Sequence, residues 1–322
     1  MNANDYIEIS VLIPCYNSAE SVDELTERLV HSMESLAIPY EIIFINDCSS
    51  DNTLQKLCEL AEKHSMVSVI DLMYNVGQFR ALMCGFEQTR GQYVITMDDD
   101  LQHPPEEIEK LYTHIKSRDD LDGVIGKYDS IKYSLYRNLG RKLVNKIDKW
   151  VFGKSSDLES TSFRCLKRDL VEALIQNRTR VPILGALIKK SSHRLENIMV
   201  HHNPRQHGKS NYGLNQLIRN TYDYIFNFSS IPLKFISIIG GLMASISAIL
   251  TIFYLFRYFM GGIGVAGWTT VVLLLNLYSG LLLLSISIVG EYLIRILNEV
   301  NHQPRFHIRK TYGIAANDKG SL

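Results

Sequence analysis

The sequence lacks a net charge, paired cysteine motifs and a leader-like N-terminus, and each absence excludes a class of protein. Its 34 Lys and Arg residues balance 34 Asp and Glu residues, so no excess of positive charge indicates nucleic-acid binding. Its five cysteines stand in no CxxC spacing, which disfavours a zinc site and favours reduced thiols in a cytosolic compartment. The first residues, MNANDYIEIS, contain neither a basic stretch nor an apolar core, so we expect no cleaved signal peptide.

Acidic and basic side chains are almost missing between residues 235 and 289, where Arg257 is the only one. Two apolar runs, 232–259 and 268–296, each exceed the ~20 residues that a helix needs to cross a bilayer. Eight uncharged residues, MGGIGVAG, join them, which predicts a hairpin of two transmembrane helices. Basic residues at the outer ends of this hairpin predict that both chain termini lie in the cytoplasm: Arg219, Lys234, Arg295, Arg305, Arg309 and Lys310.

The hairpin divides the chain into predicted regions. Apolar residues at helical spacing over 214–231 predict an amphipathic helix on the membrane surface, with a core-packing helix as the alternative. We therefore expect a cytosolic domain over 1–213, the interfacial helix over 214–231, two transmembrane helices within 232–297 and a cytosolic tail over 298–322. Small residues at 240, 241, 244 and 245 allow close helix contact, so the hairpin could form a homo-oligomer.

Short β-branched runs alternate with helical patterns from residue 7 to about residue 126. The runs IEISVLIP, YEIIFIND, VSVIDL and YVITMD predict strands, each followed by a helix. This alternation predicts an α/β fold with a mostly parallel sheet. Because ligands bind at the carboxyl ends of such strands, the candidate site lies in the polar loops that follow them, at 14–17, 46–52, 75–78 and 98–102.

Three consecutive aspartates, Asp98, Asp99 and Asp100, end the last of these strands. Their mutual repulsion is relieved by a hard divalent cation, which takes oxygen ligands and commonly keeps diphosphate oxygens. In an extended segment Asp98, Asp100 and Gln102 point the same way, so they form the candidate metal set. The alternative is an acidic turn that only starts the helix after Pro104 and Pro105.

Seven sequence blocks together resemble the family-two glycosyltransferases that load a sugar onto a polyprenyl phosphate. In chain order they are VLIPCYN, INDCSSDNT, NVGQFRALMCGF, MDDDLQHPPEEI, SFRCLKR, HGKSNY and VGEYLIRILNEVNHQPRF. Related enzymes include dolichol-phosphate mannose synthase and bacterial undecaprenyl-phosphate glycosyltransferases. The resemblance implies a GT-A (Rossmann-like) catalytic domain, an interfacial helix and a transmembrane hairpin. The QxxRW signature of processive synthases is absent, which favours transfer of a single sugar.

The resemblance also implies roles for individual residues. The nucleotide-sugar set is Pro14, Tyr16, Asn17, Asp47, Gln78, Asp98 and Asp99. Within it Asp47 would accept hydrogen bonds from the base or ribose, with a local cap as the alternative, and Gln78 could equally serve to start a helix. The metal set, Asp98, Asp100 and Gln102, would hold Mg or Mn.

Cationic side chains are expected beside the lipid phosphate and the leaving diphosphate, because Arg and Lys bind phosphate oxygens. The resemblance assigns the acceptor phosphate to Arg137, Arg141 and Arg164, although Arg137 and Arg141 could instead form a solvated helix face. The expected catalytic set is Asp100, Arg164, Lys209 and Ser162. Many bacterial relatives carry Asp where this chain has Ser162, so a carboxylate base is missing there.

The sequence thus predicts an inverting, metal-dependent enzyme that transfers one sugar from a nucleotide-diphosphate sugar to a polyprenyl phosphate. Its partners would be that donor, the lipid acceptor and membrane lipids, without nucleic acid. It would be a multi-pass protein of the inner (cytoplasmic) membrane, working at the cytoplasmic face in cell-envelope glycan synthesis. One alternative is a glycosyltransferase for the hydroxyl of a glycolipid or lipid-linked oligosaccharide, which needs base help that Ser162 cannot provide. Another is a non-catalytic nucleotide-binding module on a membrane anchor.

Overall fold

A computed structural model describes residues 6–128, 158–177, 184–203, 267–300 and 304–313, together with single positions between 238 and 260. The chain forms two compact units. The first consists of residues 1–211 and 303–322, and the second of residues 212–302. The predicted interfacial helix lies outside the described residues.

The first unit begins with the alternation that the sequence predicts. Its elements up to residue 128 are β1 (Ile9–Cys15), α1 (Val22–Ser35), β2 (Tyr40–Asn46), α2 (Thr53–Lys63), β3 (Val67–Leu72), α3 (Gln78–Gln88), β4 (Tyr93–Thr96), a 3-10 turn (Pro105–Glu107), α4 (Ile108–Lys116) and β5 (Gly123–Tyr128). The elements that follow are β6 (Arg164–Lys167), α5 (Arg168–Gln176), α6 (Leu184–Ser191), β7 (Leu195–Val200), α7 (Trp268–Val300) and β8 (Ile308–Tyr312).

Eight strands form one sheet in the order β7-β5-β6-β4-β1-β2-β3-β8. The first four strands in the chain pair in parallel, β1 with both β2 and β4, and β2 with β3. All seven residues of β1 are buried, as expected for a central strand covered on both faces. The predicted α/β fold is therefore confirmed, and the carboxyl ends of β1, β2, β3 and β4 share one edge of the sheet.

Two antiparallel strands modify the predicted parallel sheet. Strand β6 pairs antiparallel with both β4 and β5, which places Arg164 opposite Thr96, two residues before Asp98. Strand β8 pairs antiparallel with β3 and forms one edge of the sheet, although the sequence indicates only a tail over 298–322. The segment IRKTY is mostly exposed. A charged edge strand of this kind carries no apolar run that would reveal it in the sequence.

The second unit contains α7, a 33-residue helix. An 18-residue stretch within it, Leu277–Ile294, has a mean hydropathy of 1.7, and none of this stretch is buried inside the protein. By length and composition it could cross a membrane, and it agrees with the predicted helix over 268–296. In the part of the chain that the structure describes, no other helix meets this test. The described positions between 238 and 256 are helical.

Candidate active site

The four loops at the shared edge of the sheet each contain one residue with left-handed backbone. These residues are Asn17 (φ 55°), Cys48 (φ 56°), Gly77 (φ 86°) and Leu101 (φ 60°). A non-glycine residue reaches this conformation only at an energetic cost, so neighbouring contacts must hold it. The chain therefore turns sharply after each of β1, β2, β3 and β4, and it presents polar side chains along one edge.

Asp98 is held from three directions. Gln78 Nε2 donates to its Oδ1 at 2.6 Å, and Ser162 Oγ donates to its Oδ2 at 2.5 Å. Its backbone N–H donates to Nδ1 of His103 at 3.1 Å. Each carboxylate oxygen retains a second lone pair, so Asp98 is fixed in orientation while it can still accept another bond.

Asp99 points away from Asp98, as the alternation predicts, and accepts a hydrogen bond from Ser18 Oγ in the loop after β1. Burial raises the pKa of Asp99 to about 6, and the charges of Asp98 and Asp100 act in the same direction, while the Ser18 bond opposes them. The resemblance places Asp99 in the nucleotide-sugar set. In the structure its carboxylate ties the loops after β1 and β4 together.

Asp100 and Gln102 complete the acidic turn. Asp100 Oδ1 accepts the backbone N–H of Gln102 at 3.2 Å, and the Gln102 carbonyl accepts the N–H of Asn203 at 3.0 Å. Among the described residues, no three His, Cys, Asp or Glu side chains are already gathered around a common point as metal ligands. The turn instead offers a few hard oxygen donors, which suits Mg or Mn because these ions retain diphosphate and water oxygens. The oxygen donors of the turn therefore fit a divalent ion.

Arg164 is a buried cation beside the acidic turn. It is 4% exposed, and its Nε has no hydrogen-bond partner among the described residues. Burial lowers the pKa of Arg164 to about 10, while the charge of Asp98 and the hydroxyl of Tyr128 oppose that shift. Of the expected catalytic set, Ser162 bonds Asp98, Arg164 interacts with the charge of Asp98, and Asp100 follows Asp98 two residues later in the same turn.

A stacked aromatic cluster, which the sequence analysis missed, supports the turn. His103 is 3% exposed and stacks on Phe163 (centroids 5.3 Å apart, 11° between planes) and on Tyr128 (5.8 Å, 15°). Its Nε2 also contacts the Tyr128 hydroxyl. The ring of His202 packs on Tyr128 at 4.3 Å. The His in the block MDDDLQHPPEEI was the available signal, but only the tertiary contacts reveal what it touches.

Asp47 links the loops after β2 and β3. Its Oδ1 accepts the N–H of Val76 at 2.7 Å, and its Oδ2 accepts the N–H of Gly77 at 2.8 Å. Burial raises the pKa of Asp47, although these two backbone bonds act against the shift. The structure thus gives Asp47 a loop-holding role at the start of α3, and its expected contact with a base or ribose stays a prediction.

The remaining residues of the nucleotide-sugar set lie at the end of β1. Pro14 is buried in the strand, whereas Tyr16 is 45% exposed. Asn17 Oδ1 accepts the N–H of Ser50 at 2.8 Å, and the Asn17 N–H donates to Ser49 Oγ at 3.0 Å. The loops after β1 and β2 are therefore tied together beside the exposed Tyr16 ring.

Three of the predicted cations lie outside the described residues: Arg137 and Arg141 of the acceptor-phosphate set and Lys209 of the catalytic set. Of the acceptor-phosphate set, the described part of the chain contains Arg164. Its burial suits a charge that acts on neighbouring anions within the site.

Known proteins resemble this chain over nearly its full length. The family model described as "Glycosyl transferase family 2" matches residues 10–175. The undecaprenyl-phosphate 4-deoxy-4-formamido-L-arabinose transferase of Yersinia enterocolitica is 33% identical over 95% of this chain and 94% of its own. The protein of the same description from Proteus mirabilis is 32% identical over 97% of this chain and 96% of its own. Among solved structures, a glucosyl-3-phosphoglycerate synthase of Mycobacterium tuberculosis matches 69% of this chain and 79% of its own with a TM-score of 0.49 and 15% identity.

Proposed function

Because the chain belongs to glycosyl transferase family 2, we propose that it transfers one sugar from a nucleotide-diphosphate sugar to undecaprenyl phosphate at the cytoplasmic face of the membrane. The observation that carries this proposal is the acidic turn at the carboxyl edge of the sheet. There Asp98 is fixed by Gln78 and Ser162 and lies beside the buried Arg164.

The reaction is a displacement at the anomeric carbon. An oxygen of the lipid phosphate attacks this carbon, the bond to the nucleoside diphosphate breaks, and the configuration inverts. Asp98, Asp100 and Gln102 would hold a divalent ion, Mg or Mn, which stabilises the negative charge of the leaving diphosphate. Arg164 supplies a fixed positive charge that is almost fully buried, and water screens a buried charge little, so it acts strongly on neighbouring anions.

Ser162 favours a phosphate acceptor over a hydroxyl acceptor. A phosphate is already ionised near neutral pH, whereas a hydroxyl needs a general base to remove its proton. The Ser162 hydroxyl donates a hydrogen bond to Asp98 Oδ2, so in this arrangement it is a hydrogen-bond donor and not a base. The curated relatives carry undecaprenyl phosphate in their descriptions, which supports the same acceptor here.

The apolar helix α7 supports a membrane location. It exposes large aliphatic side chains, including Leu275, Leu282, Leu283 and Ile286, and its stretch Leu277–Ile294 is long enough to cross the bilayer. We propose a multi-pass enzyme of the cytoplasmic membrane with the catalytic domain and both termini in the cytoplasm. Contact between transmembrane helices would allow a homo-oligomer.

The direct test is a transfer assay with purified full-length protein in detergent. Undecaprenyl phosphate and Mn²⁺ or Mg²⁺ are combined with a panel of nucleotide sugars that includes the nucleotide of 4-deoxy-4-formamido-L-arabinose, the sugar in the relatives' descriptions. We expect a lipid-linked monosaccharide, identified by mass, with inverted anomeric configuration. Sugar transferred only to a glycolipid hydroxyl, or a lipid product of unchanged yield in excess chelator, contradicts the proposal.

A further inference from the structure

The C-terminal strand β8 reaches the same edge of the sheet as the proposed donor site. It pairs with β3, and the Met73 N–H, just beyond β3, donates to the His307 carbonyl at 2.9 Å. The rings of Tyr74 and His307 also pack together, with centroids 6.1 Å apart. Residues from the end of the chain therefore line the first part of the loop that leads to Gln78.

Arg309 makes two polar contacts at the end of β3. Its Nε lies 3.5 Å from Asp71 Oδ2, and its Nη2 donates to the Met73 carbonyl at 3.1 Å. Arg309 and Met73 are 236 residues apart in the chain. The guanidinium thus joins a strand end to the first residue of the loop, as its planar fork of donors permits.

Asp71 transmits this contact across the edge of the sheet. It is 4% exposed, and its Oδ1 accepts a hydrogen bond from Asn46 Nδ2 at 2.7 Å. Asn46 Oδ1 in turn accepts the N–H of Ser49 at 3.3 Å. One connected set of polar contacts therefore runs from β8 through β3 to the loop after β2.

The loop that Arg309 anchors also holds two residues of the candidate site. Its Val76 and Gly77 N–H groups bind Asp47, and Gln78 at its end binds Asp98. A shift at Met73 would therefore change the position of Asp47 first, through Val76 and Gly77, and that of Asp98 last, through Gln78 at the far end of the loop. For this reason an effect is expected on donor binding more than on the chemical step.

We propose that Arg309 is a positioning residue for the donor site, which acts through Asp71 and the Met73 carbonyl on residues 73–78. This inference rests on the proposed function, because the loop matters only if the edge of the sheet binds a nucleotide. Because the Arg309 side chain is 58% exposed, solvent screens this contact, and its loss corresponds to a change in affinity of about threefold to fivefold.

The test compares Arg309→Gln with Lys310→Gln, a matched loss of charge at the next residue of β8. Lys310 stands opposite Asp71 in the register of β3 and β8, but its ammonium lies over the Tyr312 ring at 4.7 Å, and it does not contact the Met73 carbonyl as Arg309 does. We measure the binding of Mn²⁺-UDP, Mn²⁺-CDP or Mn²⁺-GDP by calorimetry, whichever the wild type binds most tightly, and expect Arg309→Gln to weaken it by about threefold to fivefold. The KM of the donor should rise similarly while kcat stays within about 1.5-fold. Arg309→Lys, which keeps the charge next to Asp71, should recover part of the loss.

A second variant keeps the proposal testable if Arg309→Gln folds poorly. Asp71→Asn removes the charge and retains a side-chain amide that can still bond Asn46, so its loss of affinity and that of Arg309→Gln should not add in the double variant. Additive losses, unchanged nucleotide affinity in Arg309→Gln, or an equal loss in Lys310→Gln each overturn the inference. A wild type that binds the nucleotide but transfers no sugar to lipid refutes the proposed function, and the calorimetric comparison still decides the role of Arg309.

Discussion

Replacing Arg164 with methionine separates its chemical role from its structural one. The side chain is 4% exposed, and burial lowers its pKa from its ordinary range to about 10. Since this value lies well above 7, the guanidinium remains charged in both the folded and the unfolded protein at neutral pH. A depression of this size corresponds to a penalty of about 3 kcal/mol on the folded state. Stability at pH 7 therefore includes the full penalty.

Methionine has a similar length and no charge, so the substitution removes this penalty. This penalty already includes the attraction between Arg164 and Asp98. We therefore expect the free energy of unfolding at pH 7 to stay unchanged or to rise, by up to about 3 kcal/mol. Turnover should fall by more than about 100-fold, because a fixed positive charge near the reacting anions is lost.

Arg168→Met is the matched control, four residues further along the chain. Arg168 donates to the Gly91 carbonyl (3.0 Å from Nε, 2.5 Å from Nη2) and to Thr89 Oγ1 (3.1 Å), away from the acidic turn. Its loss leaves these acceptors without donors and should lower stability by about 1–3 kcal/mol with little effect on turnover. Denaturant unfolding and the lipid-transfer assay measure both quantities. An Arg164→Met protein that turns over normally, or that is destabilised as much as Arg168→Met, refutes this reasoning.

Four further outcomes are expected. Asp100→Asn should abolish the lipid product, because it removes a carboxylate from the proposed metal set; near-normal product counts against that set. Ser162→Ala should lose less than about 100-fold in kcat/KM, or roughly 2.7 kcal/mol, since Gln78 still holds Asp98; a larger loss assigns Ser162 a chemical role. In metal-free protein the contribution of Asp99 to stability is largest below its ordinary pKa of 3.8 and falls by up to about 3 kcal/mol as the pH rises from 3.8 through 6, because its pKa is raised in the folded state. Asp99→Asn should remove this part of the pH dependence in denaturant unfolding, and an unchanged profile contradicts the assignment. Excess chelator should stop turnover and added Mn²⁺ restore it, while full activity in chelator rules out the metal.

The contacts around Asp98 show how far sequence reasoning reaches. Three aspartates after an apolar strand predict an acidic turn at the edge of the sheet, and the structure places them there. That Asp98 is bonded by Gln78 and Ser162 depends on residues 20 and 64 positions away in the chain. Hydrophobic periodicity relates residues within one helix or strand, so it does not predict hydrogen bonds between side chains that are far apart in the chain.

Asp47 and Arg164 illustrate the same limit for roles taken from a family resemblance. The pattern marks both residues, but it does not show that both oxygens of Asp47 already bind backbone N–H groups. Nor does it reveal that Arg164 is almost fully buried. Burial and hydrogen-bond partners are properties of packed elements, and they decide what charge a side chain carries and what it can still bind.

The amino-acid sequence by itself determined the alternation of strands and helices, the apolar helix α7 and the acidic turn, because each depends on local periodicity or composition. Only the tertiary structure decided that β6 inserts antiparallel next to β4, that β8 returns from the C-terminus to pair with β3, and that His103 stacks between Tyr128 and Phe163. These contacts join residues far apart in the chain. Their free energy comes from burial and hydrogen bonds formed on folding, which no short window of sequence contains.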